Sequence, residues 1–247
     1  ILHVVAVSGL HISIFFAMIS TVTFQRRFLT ALAGIPLLFL FAAVAGFTPS
    51  VTRACIMLGL MLIAQLLDKE YDGPSALAFA ALVMLIINPF CISSVSFQLS
   101  VASVMGIFLF TPGIRGKLTA WLEGKNGKKY TLLRKLSAGI AVTLGAQIMT
   151  IPLCAYYFGI VSLVGVITNL LVLWVVSLTF CLLAGVCLLA HIYLPLAGFV
   201  GKLAGILIRY VLLVAKCMAA FPLASVYTVS PYITIWLFFA YLLLFLY

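Results

Sequence analysis

Acidic side chains are nearly absent from this 247-residue sequence, which holds only Asp68, Glu70, Asp72 and Glu123. Three of the four crowd one short segment and none lies inside an apolar run, so a proton relay of buried carboxylates, and a typical proton-coupled pump, is poorly supported. Charge of either sign is scarce: 7% of residues, against roughly 25% in an average soluble domain. With 66% of residues hydrophobic, a water-soluble fold is excluded. The apolar stretches are too continuous for an outer-membrane barrel, which would alternate over segments of about ten residues. Six cysteines stand singly in or near apolar runs, with no CxxC and no histidine at metal-ligand spacing, so they read as small buried hydrophobes. A metal held by His3 and His11 would lack any carboxylate or thiolate beside it, and no cofactor is implied. The class is all-α, a polytopic helical membrane protein.

What charge there is comes from 14 Lys and Arg, giving a net charge of +10. That excess can orient the chain in a membrane, bind anionic headgroups or attract a polyanionic substrate, and composition does not choose among them. The apolar run has already begun at Ile1 without a basic region before it, which is not the pattern of a signal peptide. We therefore expect the chain to be part of a longer one.

Apolar runs at about 1–21, 29–47, 53–67, 75–88, 97–111, 136–158, 162–191, 198–220 and 232–247 predict eight or nine helices, one of which can lie in the membrane interface. Thr48-Pro49-Ser50, Asp72-Gly73-Pro74, Asn88-Pro89 and Thr111-Pro112-Gly113 each predict a turn rather than a continuing helix. The 162–191 run exceeds the length of a simple perpendicular span, so it must tilt, break near Asn169 or contain a re-entrant piece. Parity beyond residue 160 stays open. Before that point Arg26-Arg27, the 68–74 turn with Lys69 and the 112–135 loop fall on one side. That loop carries Arg115, Lys117, Lys125, Lys128, Lys129, Arg134 and Lys135 against Glu123 alone, which predicts a cytoplasmic location. No period-locked repeat is visible.

Four constellations could carry chemistry. The opening segment sets His3, Ser8, Gly9 and His11 in an apolar helix, with Ser8 and His11 neighbours at i, i+3. An intramembrane serine hydrolase using Ser8 and His11 is one reading. Close helix packing, with the histidines bonded across helices, is the other. Next, Arg53 follows the turn at 48–50 with no local acid; it either snorkels to the interface or presents a guanidinium to phosphate at the mouth of a conduit. After Asn88-Pro89, Ser96, Ser100 and Ser103 share a helical face and Gln98 sits on another, which fits helix contact or a hydrated wall. Gln65, Gln98, Gln147 and Asn169 are costly inside a membrane unless partnered, and together they predict some internal polar surface.

The fourth is Lys202, Arg209 and Lys216, which recur at intervals of seven and so lie within about 40° of one another along a helix face, shared with Gly198 and Gly205. If this helix spans, Arg209 sits near the midplane with no acid to pair it. The alternative is a helix lying flat, with Leu203, Ile206, Leu207, Tyr210 and Val214 among acyl chains. The flat placement is preferred because it removes the midplane penalty.

Several ordered segments, HVVAVSGLHIS, GFTPSVTRACIM and DGPSALAFAALVMLIINPFCISSVSFQLSVASVMGI, together resemble the competence domain of ComEC-type DNA-uptake proteins. PLCAYYFGIVSLVGVITNLL is similar to the later region of that family, so the resemblance covers nearly the whole chain. It departs after Asn169-Leu170-Leu171, where Val172-Leu173-Trp174 stands in place of a proline-containing continuation. The resemblance implies a channel in the bacterial cytoplasmic (inner) membrane that passes single-stranded DNA during natural transformation. It also implies flanking OB-like and metallo-β-lactamase-like domains and other proteins of the competence machinery as partners. No HxHxDH-like motif is present, so this chain is expected to be a non-enzymatic translocation domain, in which Arg53, Ser8, His11, Gln98, Ser100 and Asn169 are candidates for the DNA path. A small-molecule transporter is the remaining alternative.

Overall fold

The computed structural model describes residues 9–24, 26–120, 128–162, 164–221 and 224–227, with scattered positions between 232 and 242. Eight helices run through these residues: α1 Gly9–Val22, α2 Arg27–Val44, α3 Pro49–Leu66, α4 Gly73–Ile87, α5 Val95–Thr119, α6 Lys128–Phe158, α7 Gly165–Ala190 and α8 Leu194–Ala219. Strand β1 (Ile160–Ser162) pairs antiparallel with β2 (Ser225–Tyr227), matching Ile160 to Tyr227 and Ser162 to Ser225. Six helices, all but α1 and α4, are long and apolar enough to cross a membrane. A polytopic helical membrane protein is therefore what the fold shows. Ile86 and Ile87 are 73% and 75% exposed, an arrangement that suits acyl chains and not water. The ninth candidate run, 232–247, falls largely outside the described residues.

Three expected boundaries hold, each for a local reason. Pro49 opens α3 at a position where its missing N–H costs nothing. Asp72 caps α4, its carboxylate accepting from the Ser75 N–H at 2.9 Å. Asn88 accepts from the Phe90 N–H at 3.1 Å and closes Pro89–Ser93 into a 3₁₀ turn.

The turn expected at Thr111-Pro112-Gly113 does not form, because α5 continues through Pro112 to Thr119. Proline removes one backbone donor, and a helix packed beside others inside a membrane tolerates that better than it tolerates unwinding, which would strand several more. The basic segment expected as a loop over 112–135 is consequently helical at both ends, since α6 resumes at Lys128. Nor does the 162–191 run break near Asn169: α7 is unbroken over 26 residues, about 39 Å long, and must tilt to fit.

The chain divides into two compact units, residues 1–97 with 171–216, and residues 98–170 with 217–247. In the first, α1, α2 and α3 share a core that includes Ile12, Ala31, Leu38, Val51 and Leu62. Gly34 lets α2 approach α3, since a Cβ there would lie 2.9 Å from Leu62 Cδ1. The Cys55 thiol donates to the Leu38 carbonyl at 3.4 Å across the same pair. In the second, α5 and α6 cross at two glycines: a Cβ on Gly106 would sit 2.3 Å from the Gly145 carbonyl oxygen. Beside that crossing the Thr111 hydroxyl donates to the Ala141 carbonyl at 3.4 Å.

Candidate functional site

Arg53 lies in the first turns of α3, next to the short α2–α3 connection. A snorkelling arginine would reach back to that connection, but Arg53 is only 8% exposed and its Nη1 donates to Met57 Sδ, one turn deeper, at 3.5 Å. The snorkelled placement is therefore not adopted. The guanidinium runs along the helix into the first unit. Opposite it stands α1: a Cβ on Gly9 would lie 3.3 Å from Ala54 Cβ and 3.5 Å from Arg53 Nη2. Two motifs 44 positions apart thus meet, Gly9 packing closely on Ala54 with the guanidinium at contact distance beside it. Thr52 Oγ1 beside it is buried and has no hydrogen-bond partner among the described residues. Arg53 also acts on Tyr71 in the α3–α4 connection. Desolvation raises the phenol pKa, the arginine charge draws it back down, and Asp72 raises it again.

His11 is half-buried on α1 and meets Phe180 of α7 edge to face, ring centroids 5.3 Å apart at 65°. The contact is aromatic and runs between two helices. Ser8 and His3 lie outside the described residues, so the Ser8–His11 pairing does too.

In the second unit Gln98 accepts from the Tyr157 hydroxyl at 2.7 Å, tying α5 to α6. Ser100 is 8% exposed, and Ser103 Oγ donates to its carbonyl at 2.9 Å. Gly106, one turn beyond Ser103, is where α5 comes closest to α6. At the end of α6 that carries Tyr157, that residue and Tyr156 stack edge to face at 5.0 Å. Gln147 reaches the start of α7, its Nε2 lying 2.6 Å from where a Cβ on Gly165 would be. Asn169 sits half-buried within the unbroken α7.

A cavity of about 560 Å³ opens in the first unit among the ends of α1, α2 and α3, lined by residues including Ser20, Thr30, Gln65, Lys69 and Glu70. Arg27 pairs with Asp68 at its edge, both well exposed, an ion pair that adds little stability. Gln65 lines this cavity from near the end of α3 and is itself exposed. On α8, Lys202, Arg209 and Lys216 are all exposed, while Ala197, Ala204, Val211 and Val214 are buried. Among the described residues no three His, Cys, Asp or Glu side chains come together as a metal site would require.

Sequence reasoning missed Gly106, Gly145 and the Gly9–Arg53 contact. The spacing of small residues from Ser100 through Ser103 to Gly106 was the available signal for the first; nothing local announced the others.

The family model described as "Competence protein" matches residues 1–247. ComE operon protein 3 of Bacillus subtilis (strain 168) is 28% identical over 191 residues, 75% of this chain and 22% of that protein. An uncharacterized protein of Aquifex aeolicus (strain VF5) is 29% identical over 171 residues, 69% of this chain and 37% of that protein. The chain therefore spans only part of the length of the curated relatives it matches. No solved structure matches it.

Proposed function

The chain belongs to the competence protein family, and from that premise we propose that it is the membrane domain through which a single strand of DNA enters the bacterial cytoplasm across the inner membrane. The observation that carries this reading is a membrane-embedded cation, Arg53, buried among helices that hold no carboxylate, in a chain matched by the family over its whole length. A route for a polyanion needs cations that attract phosphate without competing acids, and polar or aromatic walls that let it go. Gln98 with Tyr157 supplies one such polar group. The basic connections face the cytoplasm in this reading, as the positive-inside rule requires. The bilayer, the incoming strand, other proteins of the uptake machinery and flanking domains of a longer chain are its partners. Its role is passage and not catalysis.

Deleting the coding segment for this chain tests the proposal. Cells should still bind labelled DNA at their surface but carry none into the cytoplasm, and transformants should vanish. Undiminished cytoplasmic label would refute it. Ser8→Ala separates the hydrolase alternative: a nucleophile's loss abolishes function, whereas a packing serine's loss leaves most uptake intact.

A further inference from the structure

α7 holds no Asp, Glu, Lys or Arg over 26 unbroken residues, and a run of that length and composition has only the hydrocarbon to occupy. It starts three residues after Ser162, the end of β1. α8 starts four residues after α7 ends, runs 26 residues, and stops six residues before Ser225 of β2. Since Ser162 and Ser225 are partners in the ladder, the start of α7 and the end of α8 are held to one side. Six residues reach about 21 Å at most, well short of the 39 Å of either helix, so slack in the connection cannot replace a crossing. If α7 crosses, α8 must cross back.

A crossing places the midpoint of α8 between residues 206 and 207, with Lys202 about 7 Å to one side, Arg209 about 4 Å to the other and Lys216 about 14 Å away. Two of the three cations then lie within the hydrocarbon and the third at its edge. Ala197, Ala204 and Val211 share the seven-residue interval of the cations but are offset by two positions, about 200°, so the packed face and the cationic face are opposite. Acyl chains cannot take such a face. A second copy of this chain cannot neutralise it either, because none of the four acids of the sequence, at 68, 70, 72 and 123, lies within an apolar run.

We propose that α8 crosses the membrane and that Lys202, Arg209 and Lys216 line the aqueous route as a file of cations that hands the strand from phosphate to phosphate. The inference rests on the DNA-uptake reading. It replaces the flat placement preferred from sequence, which considered α8 without the ladder. The interval of about 10.5 Å between cations matches three phosphate rises of a stacked strand at about 3.4 Å each.

Two measurements on the full-length protein in its own membrane test it. Tyr193→Cys and Phe221→Cys, at the two ends of α8, are labelled with a membrane-impermeant thiol reagent in intact cells and in inverted vesicles, against the signal of the six native cysteines. Crossing requires labelling from opposite sides. Labelling from one side overturns the proposal and leaves α8 as a surface helix on anionic headgroups. The second compares Lys202→Gln, Arg209→Gln and Lys216→Gln combined with the charge-preserving exchange Lys202→Arg, Arg209→Lys and Lys216→Arg. At matched abundance the neutral triple should lose on the order of 100-fold in transformation while the charge-preserving one stays within a few-fold. Wild-type transformation by the neutral triple overturns the cation file but not the DNA reading; normal uptake after deletion of the whole chain overturns both.

Discussion

Replacing Gly106 by alanine adds one methyl group at the place where α5 and α6 come closest. The new carbon would stand 2.3 Å from the Gly145 carbonyl oxygen and 3.0 Å from both Cβ and Cγ of Met149. Ordinary contact begins near 3.4 Å, so the helices must part by about 1 Å. The obstructing oxygen belongs to the backbone of α6, and no rotamer change can move it. Overpacking of this kind costs about 1–3 kcal/mol where side chains yield, and this site should reach the upper end. At 1.4 kcal/mol per decade that is about a 100-fold fall in the folded-to-unfolded ratio. The same helix supplies its own controls. A Cβ on Gly113 or Gly116 meets nothing within 4 Å, so alanine there should be neutral or stabilising by about 0.5–1 kcal/mol through helix propensity. Gly145→Ala should fall between, because the atom it meets first is the movable Thr111 hydroxyl at 2.6 Å. Thermal melting of the purified protein in detergent, followed by the soluble folded fraction, ranks the four variants. Equal melting of Gly106→Ala and Gly113→Ala would refute the crossing.

Arg53→Ala should abolish transformation at normal abundance while Arg53→Lys retains part of it, since lysine keeps the charge but loses the fork; wild-type transformation by Arg53→Ala would dispose of its role. Tyr157→Phe should cost about 1 kcal/mol in the same melting assay by leaving Gln98 Oε1 without its donor, and Gln98→Leu combined with it should cost less than the two changes summed. Neutralising the seven cations of 112–135 should scramble orientation, read by which side labels a cysteine at position 126. Ser75 holds the Asp72 carboxyl below the usual carboxylate range, so the cap on α4 is fully present above about pH 4 and is lost as pH falls through the lower folded value; amide exchange at Ser75 should speed up only in acid, and Asp72→Asn should remove that dependence.

Helix ends at Asp72, Asn88 and Pro49 were legible because their causes lie within three residues, and a cap or turn reads the same in any surroundings. Pro112 misled, and the break that was one of three alternatives at Asn169 did not form, for the converse reason. Each weakens a helix locally, but inside a membrane the alternative is several backbone groups with no water to bond, and that outweighs one awkward residue. Arg53 could not be placed from its neighbours, since its burial depends on packing against α1, around Gly9, 44 positions earlier. The ladder was equally hidden. Three-residue strands within apolar runs carry no period of their own, and their partners are 63 to 67 positions apart.

α6 acts as a depth gauge. Lys135 near one end and Tyr156 near the other are 21 residues apart, about 32 Å along the helix, close to the roughly 30 Å of hydrocarbon between the two headgroup layers. In a bilayer, a cation at the phosphates and a tyrosine pair at the opposite interface would resist any sliding of the helix. Gly145 lies ten residues from the one and eleven from the other, so with those two residues at the interfaces the contact with Gly106 would fall at the centre of the bilayer. When the membrane thins or thickens, α6 must answer by tilting, and a rod tilted by its ends moves least at its middle. The α5–α6 contact is then a pivot that lipid composition hardly touches, while the ends of both helices swing about it.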